Sequence, residues 1–140
     1  MSTTENKNKA LVRQYFEAFH NERQLDLGEH ILGSELLAST LDVAAQMRTA
    51  FPDYRITIDD QLAENDMVAT VWTATGTHEG EWASPIGTVP ATGKAVTWTG
   101  TTTLRIAEGK IADVIGSNWD HLGILQQLGA LPATAPRPGA

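Results

Sequence analysis

Apolar residues in the first fifty positions fall at helical spacing. Between Asn6 and Asn21, Leu11, Val12, Tyr15, Phe16, Ala18 and Phe19 recur three and four apart, which places them on one stripe of an amphipathic helix. Ser2 and Glu5 ahead of this run are spaced as a capping box. Leu25, Leu27, Ile31 and Leu32 predict a short second helix, broken at Gly33, after which Leu36 and Leu37 fall in an irregular or briefly extended link. Ser39 or Thr40 is placed to cap a third helix from about Leu41 to Ala50, with Leu41, Ala44, Met47 and Phe51 on one face. Phe51-Pro52-Asp53 ends it.

Beyond Asp53 the period changes from 3.6 to 2 and β-branched residues take over. Tyr54, Ile56 and Ile58 alternate with Arg55, Thr57 and Asp59, and a turn at Glu64-Asn65-Asp66 leads into a strand from Met67 to His78. A second long strand, Ala95 to Ala107, turns at Glu108-Gly109 and returns as Lys110 to Trp119. Tight turns of this kind join antiparallel hairpins. The connection from His78 to Ala95 is rich in Gly and Pro and long enough to form a rim or lid. A last helix, His121 to Leu128, stops at Gly129.

Helices first and strands afterwards predict an α+β domain rather than a βαβ sheet. The expected architecture is a cone-shaped α+β barrel: three N-terminal helices packed on a strongly curved antiparallel sheet, with a short C-terminal helix. One domain is expected over residues 1–131, followed by a disordered tail at 132–140. The open end of such a cone is a natural small-molecule pocket. Thr97, Thr99, Thr101 and Thr103 leave the convex face only moderately polar, so a homodimer built sheet against sheet is expected.

Composition narrows the chemistry. With 140 residues the chain can bury a core without disulfides or a structural metal, and with no cysteine it can neither use thiol catalysis nor hold an iron–sulfur cluster. Ten basic against 17 acidic side chains, a net charge of −7, argue against nucleic acid and anionic membrane as partners. A polar start without an apolar segment behind it, and no run near the roughly 20 apolar residues of a membrane span, lead to the expectation of a cytoplasmic protein. No phosphate-binding glycine loop, nucleophile elbow or zinc-binding helix motif occurs. The four histidines, His20, His30, His78 and His121, are scattered without ligand spacing, so no metal and no cofactor are expected.

All four tryptophans, Trp72, Trp82, Trp98 and Trp119, lie in the strand half. They fill a core and a dimer seam, or they line a flat pocket for an apolar ligand. Asp120 follows the last strand. If the parity of Val114, Gly116 and Asn118 looks inward, Asp120 stands in an apolar cavity beside the Asn118 amide, where desolvation would make it a usable general acid/base. Asp120 also directly precedes a helix, and aspartate is among the best N-caps. His78, with Glu79 and Glu81, is a second acid/base candidate or a solvated strand end. Tyr15 projects into the cavity or packs in the helical stripe. Neighbouring His121 points elsewhere than Asp120 and is peripheral. Arg55, Arg105 and Asp113 fit rim or interface ion pairs.

Taken in order, Ala50-Phe51-Pro52-Asp53, Thr75-Gly76-Thr77-His78, Pro90 with Thr92-Gly93-Lys94, Leu104-Arg105-Ile106, Glu108-Gly109-Lys110-Ile111, Asp120-His121-Leu122-Gly123 and Gln127-Leu128-Gly129 resemble the SnoaL-like polyketide cyclases of the nuclear-transport-factor-2-like superfamily. The resemblance implies a homodimeric, cofactor-independent enzyme that closes a polyketide ring by intramolecular aldol condensation, with the aspartate aligned to Asp120 as acid/base. Read from the residues themselves, the expected substrate contacts are Tyr15, Trp72, Trp82, Trp98, Asn118 and Trp119, and His78 is the expected second catalytic residue beside Asp120. The chain departs from the family pattern between the second and third helices, where only Gly33 to Thr40 stands in for a longer wall-forming segment; Glu81 to Val89 is the expected compensation. The alternatives are an epoxide hydrolase or isomerase of the same fold, which requires Arg105 to point inward with Asp120 and Asp113, and a non-catalytic small-molecule-binding dimer.

Overall fold

The computed structural model describes residues 3–131. Ser2, half of the expected capping box, and the tail at 132–140 lie outside the described residues. Glu5 accepts instead from the amide of Asn65, 2.9 Å away in the turn between the first two strands.

The elements run in the order α1 (Thr3–Gln14), a π-helical turn (Tyr15–Asn21), a 3-10 turn (Leu25–Leu27), α2 (Gly28–Ile31), α3 (Ser34–Ala50), β1 (Arg55–Glu64), β2 (Met67–Thr77), β3 (Trp82–Ser84), β4 (Gly87–Val89), β5 (Ala95–Ala107), β6 (Lys110–Trp119) and α4 (His121–Gln127). Four strands form one antiparallel sheet in the order β1-β2-β5-β6. The fold is α+β. The barrel is not closed: β1 and β6 do not pair with each other among the described residues, and the sheet remains open. The Gly/Pro-rich connection holds a small hairpin of its own, β3 with β4.

Alternation on β2 and β5 turns Val68, Trp72, Ala74, Val96, Trp98 and Leu104 toward the helices, where they meet Val12, Phe16, Phe19, Met47 and Phe51 in one core. Gly100 lies directly across from Trp72 in the ladder, and a Cβ there would come within 2.3 Å of the indole. The missing side chain is what lets the Trp72 ring lie over β5.

Besides the register shifts at Ile58/Asp60 in β1 and at Arg105/Ile106 in the β5–β6 pair, three local features depart from simple periodicity. The first helix widens into a π turn at Tyr15–Asn21, a form that recurs at functional sites. Helix α3 begins at Ser34, with Gly33 as its extended N-terminal neighbour, rather than near Leu41. The segment expected to be a link is therefore helical, because Leu36, Leu37, Thr40, Leu41 and Ala44 already keep the three- and four-residue spacing. Its start is pinned to the sheet by the Gly33 amide, which donates to the Ile111 carbonyl at 2.8 Å. The third departure is in β6. Thr103 pairs with Gly116 but Leu104 with Val114, so Ile115 is an extra residue on that strand. A bulge of this kind inverts the facing of every later side chain.

Candidate active site

Between the helices and the inner sheet face lies a cavity of about 240 Å³. Its inner part is formed by buried Phe16, Trp72, Trp98 and Leu104, and its mouth by exposed Ser39 and Val43 of α3 opposite Val114 and Ser117 of β6. Leu36, Ser39 and Thr40 belong to the stretch expected to be too short for a wall; by folding as α3 it supplies that wall, and no residue from Glu81 to Val89, the expected compensation, lines the cavity.

The polar groups of this apolar chamber come from few residues. His20 closes the π turn and Tyr54 precedes β1, and His20 Nδ1 lies 3.1 Å from the Tyr54 hydroxyl. Both side chains are buried, at 7% and 4% exposure. Burial, with the Arg48 guanidinium adding to it, pulls the His20 imidazole down to about 3, so the ring is neutral at ordinary pH. Burial likewise holds Tyr54 above the usual phenol range, so it keeps its proton. Arg48 fixes the pair from behind: its guanidinium stacks 3.9 Å from the Tyr54 ring centre and donates to the backbone carbonyls of both His20 and Tyr54. Tyr15 covers the imidazole edge-on at 4.5 Å between centroids, and burial raises its hydroxyl too.

A second polar group sits between sheet and mouth. Trp72 Nε1 donates to Thr102 Oγ1 at 3.0 Å, Thr102 Oγ1 and Ser117 Oγ are 3.1 Å apart, and Trp119 Nε1 donates to Ser117 Oγ at 3.2 Å. The indole of Trp119 stands perpendicular to that of Trp72, with 5.6 Å between ring centres.

Of the residues singled out in the sequence, the cavity brings together Tyr15, Trp72, Trp98 and Trp119. Trp82 is buried elsewhere, on β3 against Phe51 and His121. Beyond the Ile115 bulge the inward positions are Ser117 and Trp119, so Asn118 and Asp120 fall outside the lining, against the expected parity. Asp120 is exposed and caps α4, its Oδ1 accepting from the Gly123 amide at 2.9 Å. His78 is fully buried away from the cavity. Its Nδ1 accepts from the Thr92 amide at 3.2 Å, which leaves the proton on Nε2, a buried atom without a partner among the described residues. Burial lowers its pKa, and its backbone ties the end of β2 to Gly93 and Lys94. The ring fastens the connection rather than facing the chamber. Arg105 Nε meets Asp66 Oδ2 at 3.3 Å on the outside, so the inward Arg105 required by the hydrolase alternative is absent.

His20, Tyr54 and Ser117 were missed as site residues. A signal for His20 was available: a polar ring four residues after Phe16 and one after Phe19, on an otherwise apolar stripe. Among the described residues no group of three His, Asp or Glu side chains is placed to hold a metal, and no helix is long and apolar enough to cross a membrane.

The geometry is that of an α+β chain with a mostly apolar chamber and two small polar groups inside it. The chain belongs to the SnoaL-like polyketide cyclase family, whose model matches residues 9–128. Solved structures agree. A candidate hydroxylase, AclR of Streptomyces galilaeus, is 27% identical, with 96% of this chain and 87% of that one covered at a TM-score of 0.76. A candidate SnoaL-like polyketide cyclase from Jannaschia sp. CCS1 is 19% identical and has the same fold, with 94% and 98% covered at 0.82. IdmH of Streptomyces antibioticus, a candidate polyketide cyclase, is 24% identical, with 87% and 98% covered at 0.72. No curated protein matches the chain at a significant level.

Proposed function

We propose that this protein enolises a small apolar carbonyl compound of the polyketide kind, and that His20 and Tyr54 move the protons. Family membership supports a general cyclase or isomerase role. The observation that carries the finer reading is a neutral imidazole hydrogen-bonded to a phenol inside an apolar chamber.

With Nδ1–H donating to the phenol oxygen, the Tyr54 O–H is left to donate to a substrate carbonyl and the Nε2 lone pair to accept a proton from the adjacent carbon. In one cycle the carbon gives a proton to Nε2, Nδ1 passes its own to Tyr54, and Tyr54 protonates the carbonyl oxygen. The substrate becomes an enol, while ring and phenol end neutral. No ion pair forms, which matters where charge is costly. The enol carbon then attacks a second carbonyl of the same substrate: that C=O π bond opens as the C–C bond of an intramolecular aldol-type closure forms, its oxygen takes the Nε2 proton, and the enol O–H returns its proton through Tyr54 to Nδ1, which restores the starting tautomer. An apolar cavity of about 150 Å³ holds a benzene, so about 240 Å³ fits one or two fused rings.

The test is hydrogen–deuterium exchange at the α-carbon of 2-tetralone in D2O, followed by proton NMR. The intact protein accelerates exchange over buffer, and Tyr54→Phe reduces the acceleration by about 100-fold, the lower end of what a positioned acid contributes. An intact protein without effect on exchange removes enolisation from the reading.

A second reading keeps the acid/base at Asp120, as the family resemblance implies; its place one residue beyond cavity-lining Trp119 favours it. The reading also includes a second copy of the chain over the outer sheet face, where Leu62 and Val71 stand exposed. Sedimentation at the mass of one chain would remove that part.

A further inference from the structure

We infer that Ser117, backed by Thr102, is a one-way hydrogen-bond donor at the cavity mouth that selects ligands carrying an acceptor oxygen at that end. The inference rests on the proposed use of the cavity and adds a specificity-determining residue to it.

Two hydroxyls have two protons and four lone pairs between them. Trp72 Nε1–H occupies one lone pair of Thr102, and Trp119 Nε1–H occupies one lone pair of Ser117. One further proton bridges the two oxygens. The exposure of the pair decides which hydroxyl supplies it. Thr102 is 6% exposed, and a buried O–H without an acceptor costs about 1–3 kcal/mol. Ser117 is exposed at the mouth, where water or a ligand satisfies its proton. Thr102 therefore donates to Ser117. Ser117 then receives two donors, which fill both of its lone pairs, and keeps one O–H with no partner among the described residues.

The chemical consequence is selective. A ligand oxygen at this point finds a donor polarised by two hydrogen bonds behind it. A ligand N–H or O–H finds no lone pair. The site favours a ketone, ester or ether oxygen, or an oxyanion, and discriminates against amines and amides presented by their N–H. The Ile115 bulge is what places Ser117 here, since without it Asn118 would face inward with both donor and acceptor atoms.

The experiment compares binding of 2-tetralone with that of tetralin, its carbonyl-free counterpart, by quenching of tryptophan fluorescence. Ser117→Ala weakens 2-tetralone by about 5- to 10-fold, the ordinary range for one lost hydrogen bond, and leaves tetralin unchanged. Ser117→Thr restores the ketone's affinity. The carbonyl stretch of bound 2-tetralone lies at lower wavenumber in the wild type than in Ser117→Ala. Equal ketone affinity and an unmoved carbonyl band in Ser117→Ala overturn the inference while leaving His20 and Tyr54 in place. Failure of the intact protein to bind either compound overturns it together with the cavity reading.

Discussion

Two places in this molecule offer a group able to carry a proton, and they differ in what surrounds them. At the β6–α4 junction Asp120 is exposed and spends an oxygen on a helix cap. At the π turn His20 is buried, neutral, and bonded to a phenol inside the chamber. A carboxylate that satisfies a backbone amide at the surface is explained by folding alone. A buried imidazole is a cost that folding does not require, since an apolar residue at position 20 would continue the stripe of Phe16 and Phe19.

That cost is measurable. The unfolded imidazole titrates near 6.5 and the folded one near 3, so below pH 6.5 the unfolded chain gains a proton that the native state does not. Stability attributable to His20 therefore falls as pH falls through this window, by about 1.4 kcal/mol per pH unit. Urea unfolding between pH 6.5 and 4.5 should show a loss that shrinks by about 2–3 kcal/mol in His20→Gln, the remainder reflecting His78 and the carboxylates. An identical acid limb in the variant would mean that the ring is solvated.

Gly100→Ala sharpens the comparison from the sheet side. The new methyl displaces the Trp72 indole and its bond to Thr102, at a cost of about 1–3 kcal/mol and a drop in thermal midpoint. A midpoint equal to wild type would show that the indole has room to move. At the other site the effects are smaller. Asp120→Ala costs about 1 kcal/mol through loss of the cap, and Asp120→Asn, which still caps, only a few tenths. Equal stability of the Ala variant and wild type would show that the cap bond is not formed in solution.

Legibility of the chain follows the same division. Strands β1, β2, β5 and β6 stand out because a half-buried strand must alternate, and Gly109 and Gly129, both at positive φ, mark a turn and a helix end. Trp72 and Trp98 keep the inward parity of β2 and β5, whereas parity counted from Val114 turns Trp119 outward. The features that build the site are those that break a period. A π turn inserts a residue into the helical count without leaving a composition signal, and only the polar ring of His20 on the stripe of Phe16 and Phe19 hints at it. The extra residue at Ile115 left Val114 facing in but sent Asn118 and Asp120 out and Ser117 and Trp119 in. Helix α3 was shortened for a different reason: Ser39 and Thr40 look like caps, but they sit within the helix, where Ser39 Oγ donates to the Leu36 carbonyl at 3.1 Å.

The central claim is that His20, and not Asp120, handles the substrate proton. The most direct measurement is deuterium exchange into 2-tetralone by His20→Gln and Asp120→Asn side by side, both shown folded by circular dichroism. The account predicts a fall of about 100-fold or more for His20→Gln and less than about twofold for Asp120→Asn. The reverse pattern, full exchange without the imidazole and its loss without the carboxylate, would contradict it and return the chemistry to Asp120.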